Sequence, residues 1–226
     1  MTDAGVENAV AQVHGKKFAR EAFHHGDLRR ALLATAWEVV EERGVSMTSL
    51  REVARRNGVA ASSALHHFGD KMTLLAGVAE EGFRRLTQCR IDATVGVTDK
   101  KEHLRQYFLV YVRFALDHPA IFKLMHSSLI TPHSNYPALL ESSVNTFRKT
   151  REVMDAYLQS FGVPVKLSAD VWGFWSAAHG IASLLINFPA GERPTRVSED
   201  ELITSLLDTM LIGIAEKCRL ESINAG

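Results

Sequence analysis

A chain of 226 residues can bury a sizeable core without disulfide or metal staples. Its composition, 46% apolar and 23% charged, excludes a disordered or fibrous polymer. The 26 basic residues balance 26 acidic ones, so no global field draws the chain to polyanions, and any affinity for nucleic acid has to be local.

In chain order, residues 1–23 lack a clean period and end in Lys16, Lys17 and Arg20, which predicts a flexible basic arm. They hold no apolar core or cleavage pattern of a secretory signal. A first helix is expected over 27–43, capped by Asp27, with Leu28, Leu32, Ala36, Val39 and Val40 on one stripe and Gly44 at its end. A second, short helix opens at Thr48 or Ser49, carries Leu50, Val53 and Ala54, and stops at Asn57. Gly58 supplies the turn into a third helix over 61–68. Asp70 then caps a fourth helix carrying Met72, Leu75, Val78, Ala79, Phe83 and Leu86.

Beyond Val97 the composition shifts. An amphipathic helix over 99–117 places Leu104, Phe108, Tyr111, Val112 and Ala115 inward, and His118-Pro119 ends it. A short helix over 120–129, a loop over 131–137 and a long helix over 137–161 follow. An apolar helix over 167–188 and a last helix over 198–220 complete the pattern. The stretch WGFWSAAHGIASLLINF carries His179, Ser183 and Asn187, so it reads as a buried helix rather than a membrane span, and no membrane partner is expected. With no strand pattern and about nine helices, the expected fold class is all-α.

The stretch GVAASSALHHFGDK (58–71) is unusual. Its helix is small and polar where a core-building helix carries bulk. Two short helices joined at a glycine, the second lean in core residues, form the layout of a helix-turn-helix. A recognition helix packs one narrow stripe on its own domain, here Ala64 and Phe68 with Val59 before them. The remaining face fits the major groove only if no large side chain holds it away. Local charge agrees: residues 16–71 hold ten Lys/Arg against seven Asp/Glu, and residues 72–226 hold sixteen against seventeen. The bland alternative is a helical corner that packs this way without meeting DNA.

The segment HHGDLRRALLATAWEVVEERGVSMTSLREVARRNGVAASSALHHFGDKMTLL resembles the DNA-binding region of the TetR (tetracycline-repressor-like) family of bacterial transcription regulators. The resemblance rests on the Glu-Arg-Gly helix end, Thr-Ser-Leu-Arg-Glu-Val-Ala, the Gly-Val turn, His-Phe and Lys71. FALDHPAIFKLM and WGFWSAAHGIASLL are similar to the branch whose C-terminal domain carries a Trp…His-Gly signature. The resemblance implies a three-helix DNA-binding head over 24–70 and a helical ligand-binding and dimerisation body over 71–226. It implies a homodimeric repressor, on a pseudo-palindromic double-stranded operator, that a small molecule releases.

Carried over by position, Thr48, Ser49, His67 and Lys71 would meet phosphates, Arg51 a base or the backbone, and Ala61, Ser62 and Ser63 base edges. Leu65 stands where the family usually has a tyrosine, exchanging a phosphate contact for an apolar one, and His66 can donate from the flank. For Arg51, Arg55 and Arg56 a solvated surface is the alternative role.

In the body, Tyr107, Tyr111, Phe122, Met125, Phe147, Trp172, Trp175 and His179 are pocket candidates, each of which could equally fill core. Few fixed charges fall among them, which favours a hydrophobic or aromatic effector. Gly173, Ala177 and Gly180 suit a close helix approach, in a dimer seam or within one chain. The two cysteines, Cys89 and Cys218, match no metal or redox spacing and fit a reducing, cytoplasmic setting, although a member answering to oxidation at Cys89 is a second reading. Catalysis is the rival class. Ten histidines form no metal spacing, and no nucleophile elbow, P-loop or dinucleotide fingerprint occurs, so neither enzyme, metal nor cofactor is expected.

Overall fold

The computed structural model describes residues 25–161, 167–188, 190–192 and 197–224, and the predicted basic arm lies outside them. Among the described residues there are nine α-helices, three 3-10 turns and no strand. Helix α1 spans His25–Met47, so the expected cap Asp27 falls inside it. Gly44, at φ 76° and ψ 170°, kinks α1 where the regular helix was predicted to end. Helix α2 is Leu50–Arg56 and α3 is Ala61–Phe68, joined through Gly58 at φ 66°, a conformation that favours glycine. Asp70 accepts a 2.7 Å hydrogen bond from Thr73 N and so caps α4, Lys71–Thr94.

Asp99 caps α5, Lys100–Asp117, in the same way, and Pro119 opens α6, Pro119–Met125. The short helix expected over 120–129 therefore stops at Met125, because the Ser127 side chain takes the Leu129 N–H and turns the chain into a 3-10 segment, Ser128–Ile130. A second 3-10 turn, His133–Asn135, lies within the predicted loop. Helix α7 is Pro137–Gln159, α8 is Leu167–Asn187, and α9 is Glu199–Asn224, running past the predicted end at 220.

Helices α1, α2 and α3 enclose Leu32, Ala36, Val40, Val53, Ala54, Ala64 and Phe68. Helix α4 packs against α1, α5, α6 and α7, and its inner face adds Leu75, Val78, Phe83 and Leu86 to the core. One apolar cluster thus runs from Leu32 in α1 through α4 to Ile214 in α9. No helix among the described residues is long and apolar enough to cross a membrane.

The α4–α6 contact is tight because Gly82 lacks a side chain. A Cβ there would sit 2.7 Å from Met125 Sδ and 3.0 Å from Ile121 Cγ2. Gly82→Ala is expected to destabilise by about 1–3 kcal/mol through overpacking. Thermal denaturation should show a clear fall in Tm, and an unchanged Tm would contradict the tight seat.

Helices α8 and α9 leave apolar groups outward. Leu184, Phe188, Ile212, Leu220 and Ile223 are exposed, Ile212 at 63%. Gly173, Gly180 and Gly213 differ from Gly82: a Cβ at any of them would meet nothing within 4 Å. These glycines relieve no crowding within this chain.

Candidate nucleic-acid interface and interior pocket

The turn between α2 and α3 is held by side chains that the motif itself supplies. Ser49 caps α2 by accepting from Glu52 N at 3.1 Å. Asn57, at the other end, donates from Nδ2 to Thr35 Oγ1 at 2.9 Å and to Val53 O at 2.8 Å, tying the turn to α1. Thr48 is a correction to the expected contact set. It is 0% exposed and its hydroxyl is donated to Gly44 O at 3.1 Å, so it braces the kink in α1 and has no surface to offer a phosphate.

Glu52 sorts the arginines of α2. Arg55 grips its carboxylate through Nε and Nη2, both at 2.9 Å, and Arg56 Nε reaches it at 3.0 Å. Arg56 Nη2 also donates to Glu42 in α1 at 2.7 Å. The Arg55 and Arg56 hydrogen bonds push the Glu52 carboxyl down to about 2. Exposed pairs of this kind stabilise little. Their effect here is to give Arg55 and Arg56 carboxylate partners within the chain, while Arg51 stays exposed on the outer face.

Helix α3 is anchored on two residues, Ala64 and Phe68, as its lean sequence predicted. Ala61, Ser62, Leu65 and His66 are exposed, Leu65 at 53%, and Ser63 and His67 are half-buried. Its N-cap, Ala60, makes no side-chain cap, and the Ser63 N–H is donated back to Ala60 O at 3.0 Å. Lys71 Nζ reaches Ser46 O at 3.1 Å, which puts this cation beside the entry to α2. Donors from two helices and a short face of small residues share one edge of the molecule.

The body gathers an aromatic and imidazole cluster. A 2.8 Å hydrogen bond joins Tyr111 Oη to His179 Nδ1, so His179 is a satisfied polar group. Phe122 stacks on the His179 ring at 5.2 Å and Trp175 lies 5.3 Å away. Trp172 bridges Trp175 and Phe147 but is largely exposed. A cavity of about 190 Å³ opens here, lined by Phe122, His126, His179, Ser183 and Asn187 among others. Of the eight pocket candidates, only Phe122 and His179 line this cavity. Tyr111 and Trp175 stand behind it, and Met125 faces Gly82. Burial holds His179 and His126 below the ordinary histidine range, so both imidazoles are neutral at pH 7.

Two groups escaped the sequence reading. His126 follows α6, although the sequence predicts it inside the short helix over 120–129. Arg90, to which the sequence reading assigns no role, is 1% exposed in the middle of the body. Its register carries the signal: Arg90 lies four residues after Leu86 on the inner stripe of α4. This guanidinium lies outside the set of pocket candidates and does not line the cavity.

A joint between the two regions completes the geometry. His118, the residue that precedes α6, meets Glu41 of α1 with Nδ1 to Oε1 at 2.9 Å. Trp37 lies edge-on to the same ring at 5.3 Å, and Arg85 of α4 sits over Trp37 at 4.2 Å. Helix α6 therefore touches α1 at one end and the cavity wall, through Phe122, at the other.

Comparison with known proteins agrees with this arrangement. The family model described as bacterial regulatory proteins, tetR family, matches residues 32–78. The one described as tetracyclin repressor-like, C-terminal domain, matches residues 104–210. No curated protein sequence matches. Among solved structures, a protein of unknown function from Rhodococcus sp. RHA1 is 30% identical, with a TM-score of 0.72 over 86% of this chain and 99% of that one. A transcriptional regulator from Rhodococcus is 23% identical, at a TM-score of 0.62 over 84% and 96% of the two chains. The TetR-family regulator PfmR from Thermus thermophilus shares the fold at 18% identity, with a TM-score of 0.58 over 80% and 96%.

Proposed function

The chain belongs to the tetR family of bacterial regulatory proteins and is a DNA-binding transcription regulator rather than an enzyme, and from this premise we propose that it is a homodimeric repressor released from a pseudo-palindromic operator by a small molecule. The carrying observation is α3, a helix whose buried residues are Ala64 and Phe68 and whose other face exposes Ala61, Ser62, Leu65 and His66. We assign residues up to about 70 to the DNA-binding head, and the rest to an effector-binding and dimerising body. Two heads would enter successive major grooves about 34–36 Å apart. The test is selection of bound duplexes from genomic DNA by the purified protein. An inverted-repeat consensus is the expected result, and recovery of no sequence above background would overturn the reading.

Within the interface, Ala61, Ser62 and Ser63 are the proposed base readers, with Leu65 offering an apolar contact beside them. Ser49, His67 and Lys71 are assigned to phosphates, Arg51 to a base or the backbone, and His66 to the flank of the helix. Lys71→Ala should weaken binding to all duplexes alike and flatten the salt dependence of log K by about one unit. Ser63→Ala should instead change which base pairs are preferred. Anisotropy titrations at several salt concentrations, with the selected duplex and with scrambled ones, separate the two. Equal effects from both variants would contradict the assignment.

Release follows if the effector binds the released conformation more tightly than the DNA-competent one. Helix α6 supports such coupling, since it joins the cavity wall to the Glu41–His118 contact, and α4 spans both regions. Glu41→Gln should leave operator affinity nearly intact and reduce its response to effector.

A further inference from the structure

Arg90 is a buried cation with no counter-anion among the described residues. Its Nη1 donates to Thr150 Oγ1 at 3.3 Å, and its Cζ lies 4.3 Å from the Tyr107 ring centre, 4.9 Å from that of Tyr111 and 5.8 Å from that of Phe108. Among the described residues, Nε and Nη2 have no partner in good hydrogen-bond geometry, and the Tyr107 hydroxyl beside the guanidinium has none either. No carboxylate is among the groups that act on this guanidinium, only Tyr107 and Tyr111. An arginine remains protonated in proteins, and a buried charge ordinarily has an ionic partner and a full set of hydrogen bonds. The rings compensate part of the desolvation through cation–π attraction. They leave the in-plane donors unused.

Which donors are unused decides the chemistry. Nε–H and one Nη2–H point the same way from one edge of the guanidinium, and that edge is the fork that pairs with a carboxylate through two parallel hydrogen bonds. Thr150 holds the opposite nitrogen, fixing the plane. A single positive charge among aromatic rings balances one negative charge, whereas a phosphate dianion would leave a net charge in the core.

We infer that the Nε–Nη2 edge of Arg90, assisted by the Tyr107 hydroxyl, receives the carboxylate of a monoanionic effector whose apolar part lies among the body's aromatic rings. This rests on the proposed effector response and names the effector's class: a monocarboxylic acid with a hydrophobic or aromatic tail.

Two readouts test it on the full-length protein. The first needs no ligand. Replacing an uncompensated buried cation by an apolar side chain of similar length stabilises a fold, so Arg90→Met is expected to raise Tm by about 2 °C or more. A fall in Tm would mean that Arg90 is a structural cation and would overturn the inference. The second uses phenylacetate, 4-phenylbutyrate and octanoate as probes, with their uncharged amides and inorganic phosphate as controls. At least one acid should raise the wild-type Tm with concentration while its amide and phosphate do not. The shift should vanish in Arg90→Met and shrink in Tyr107→Phe, which keeps the ring and the fold. Equal shifts from acids and amides, an undiminished shift in Arg90→Met, a shift from phosphate alone, or no shift from any acid would each overturn it. Neither readout involves DNA. Failure here leaves the duplex selection standing, and failure of that selection leaves the acid result to be read separately.

Discussion

Phe68→Ala is expected to remove operator binding while the body stays helical. Helix α3 has eight residues and no side-chain cap, and it is far shorter than the roughly 12–15 residues an isolated helix needs to persist in water. Tertiary contact must hold it. Ala64 contributes little area, so the anchor is Phe68, 4% exposed, with Arg29 over its ring at 5.3 Å. Truncating a buried phenylalanine costs about 3–5 kcal/mol, and the loss falls on the element proposed to meet the groove. If only the docking of α3 is lost, affinity for the selected duplex should drop about 100-fold or more, since each 1.4 kcal/mol is tenfold. Circular dichroism should show most of the helix content retained. Wild-type affinity in Phe68→Ala would sink the recognition-helix assignment.

The second large effect concerns the outward faces of α8 and α9. Leu184 and Ile212 are exposed apolar residues, and neighbouring Gly180 and Gly213 adjoin open space in the single chain. A mate's helices would cover this surface and use the room the glycines leave. Placing charge there by the double substitution Leu184→Glu and Ile212→Glu should convert the proposed dimer to a 25.0 kDa monomer in light scattering. A one-headed protein loses the second half-site, and operator affinity should fall about 10²–10⁴-fold with it. A wild-type protein that is already monomeric at micromolar concentration would refute the seam. So would a double variant that keeps both mass and affinity.

Much of this architecture was legible in the sequence where the determinants are local. Gly58, Asp70 and Asp99 act within a few residues of themselves, and they delimit α3, α4 and α5 as the sequence implied. Determinants that act across the fold were not legible. A threonine that precedes a helix reads as a cap or a phosphate ligand, yet the Thr48 hydroxyl turns back to Gly44 because α1 kinks beneath it. An aromatic on an inner helical stripe reads alike whether it lines a cavity or backs one. Phe122 does the first and Tyr111 the second, and only the packing of α5, α6 and α8 separates them. Arg90 was passed over because arginines are mostly exposed, although its register with Leu86 pointed inward.

The glycine in the middle of α4 has a mechanical consequence. With α6 seated against Gly82, that point can serve as a fulcrum, and the stretch back to Lys71 forms an arm of roughly 16 Å at 1.5 Å per residue. A tilt of about 10° would swing the far end by roughly 3 Å, and two mirrored arms would change the separation of their tips by up to roughly 6 Å, a sizeable part of one helical turn of duplex. In the proposed dimer, a displacement of an ångström or so at the inner wall would thereby be geared up into a misfit that B-form DNA resists.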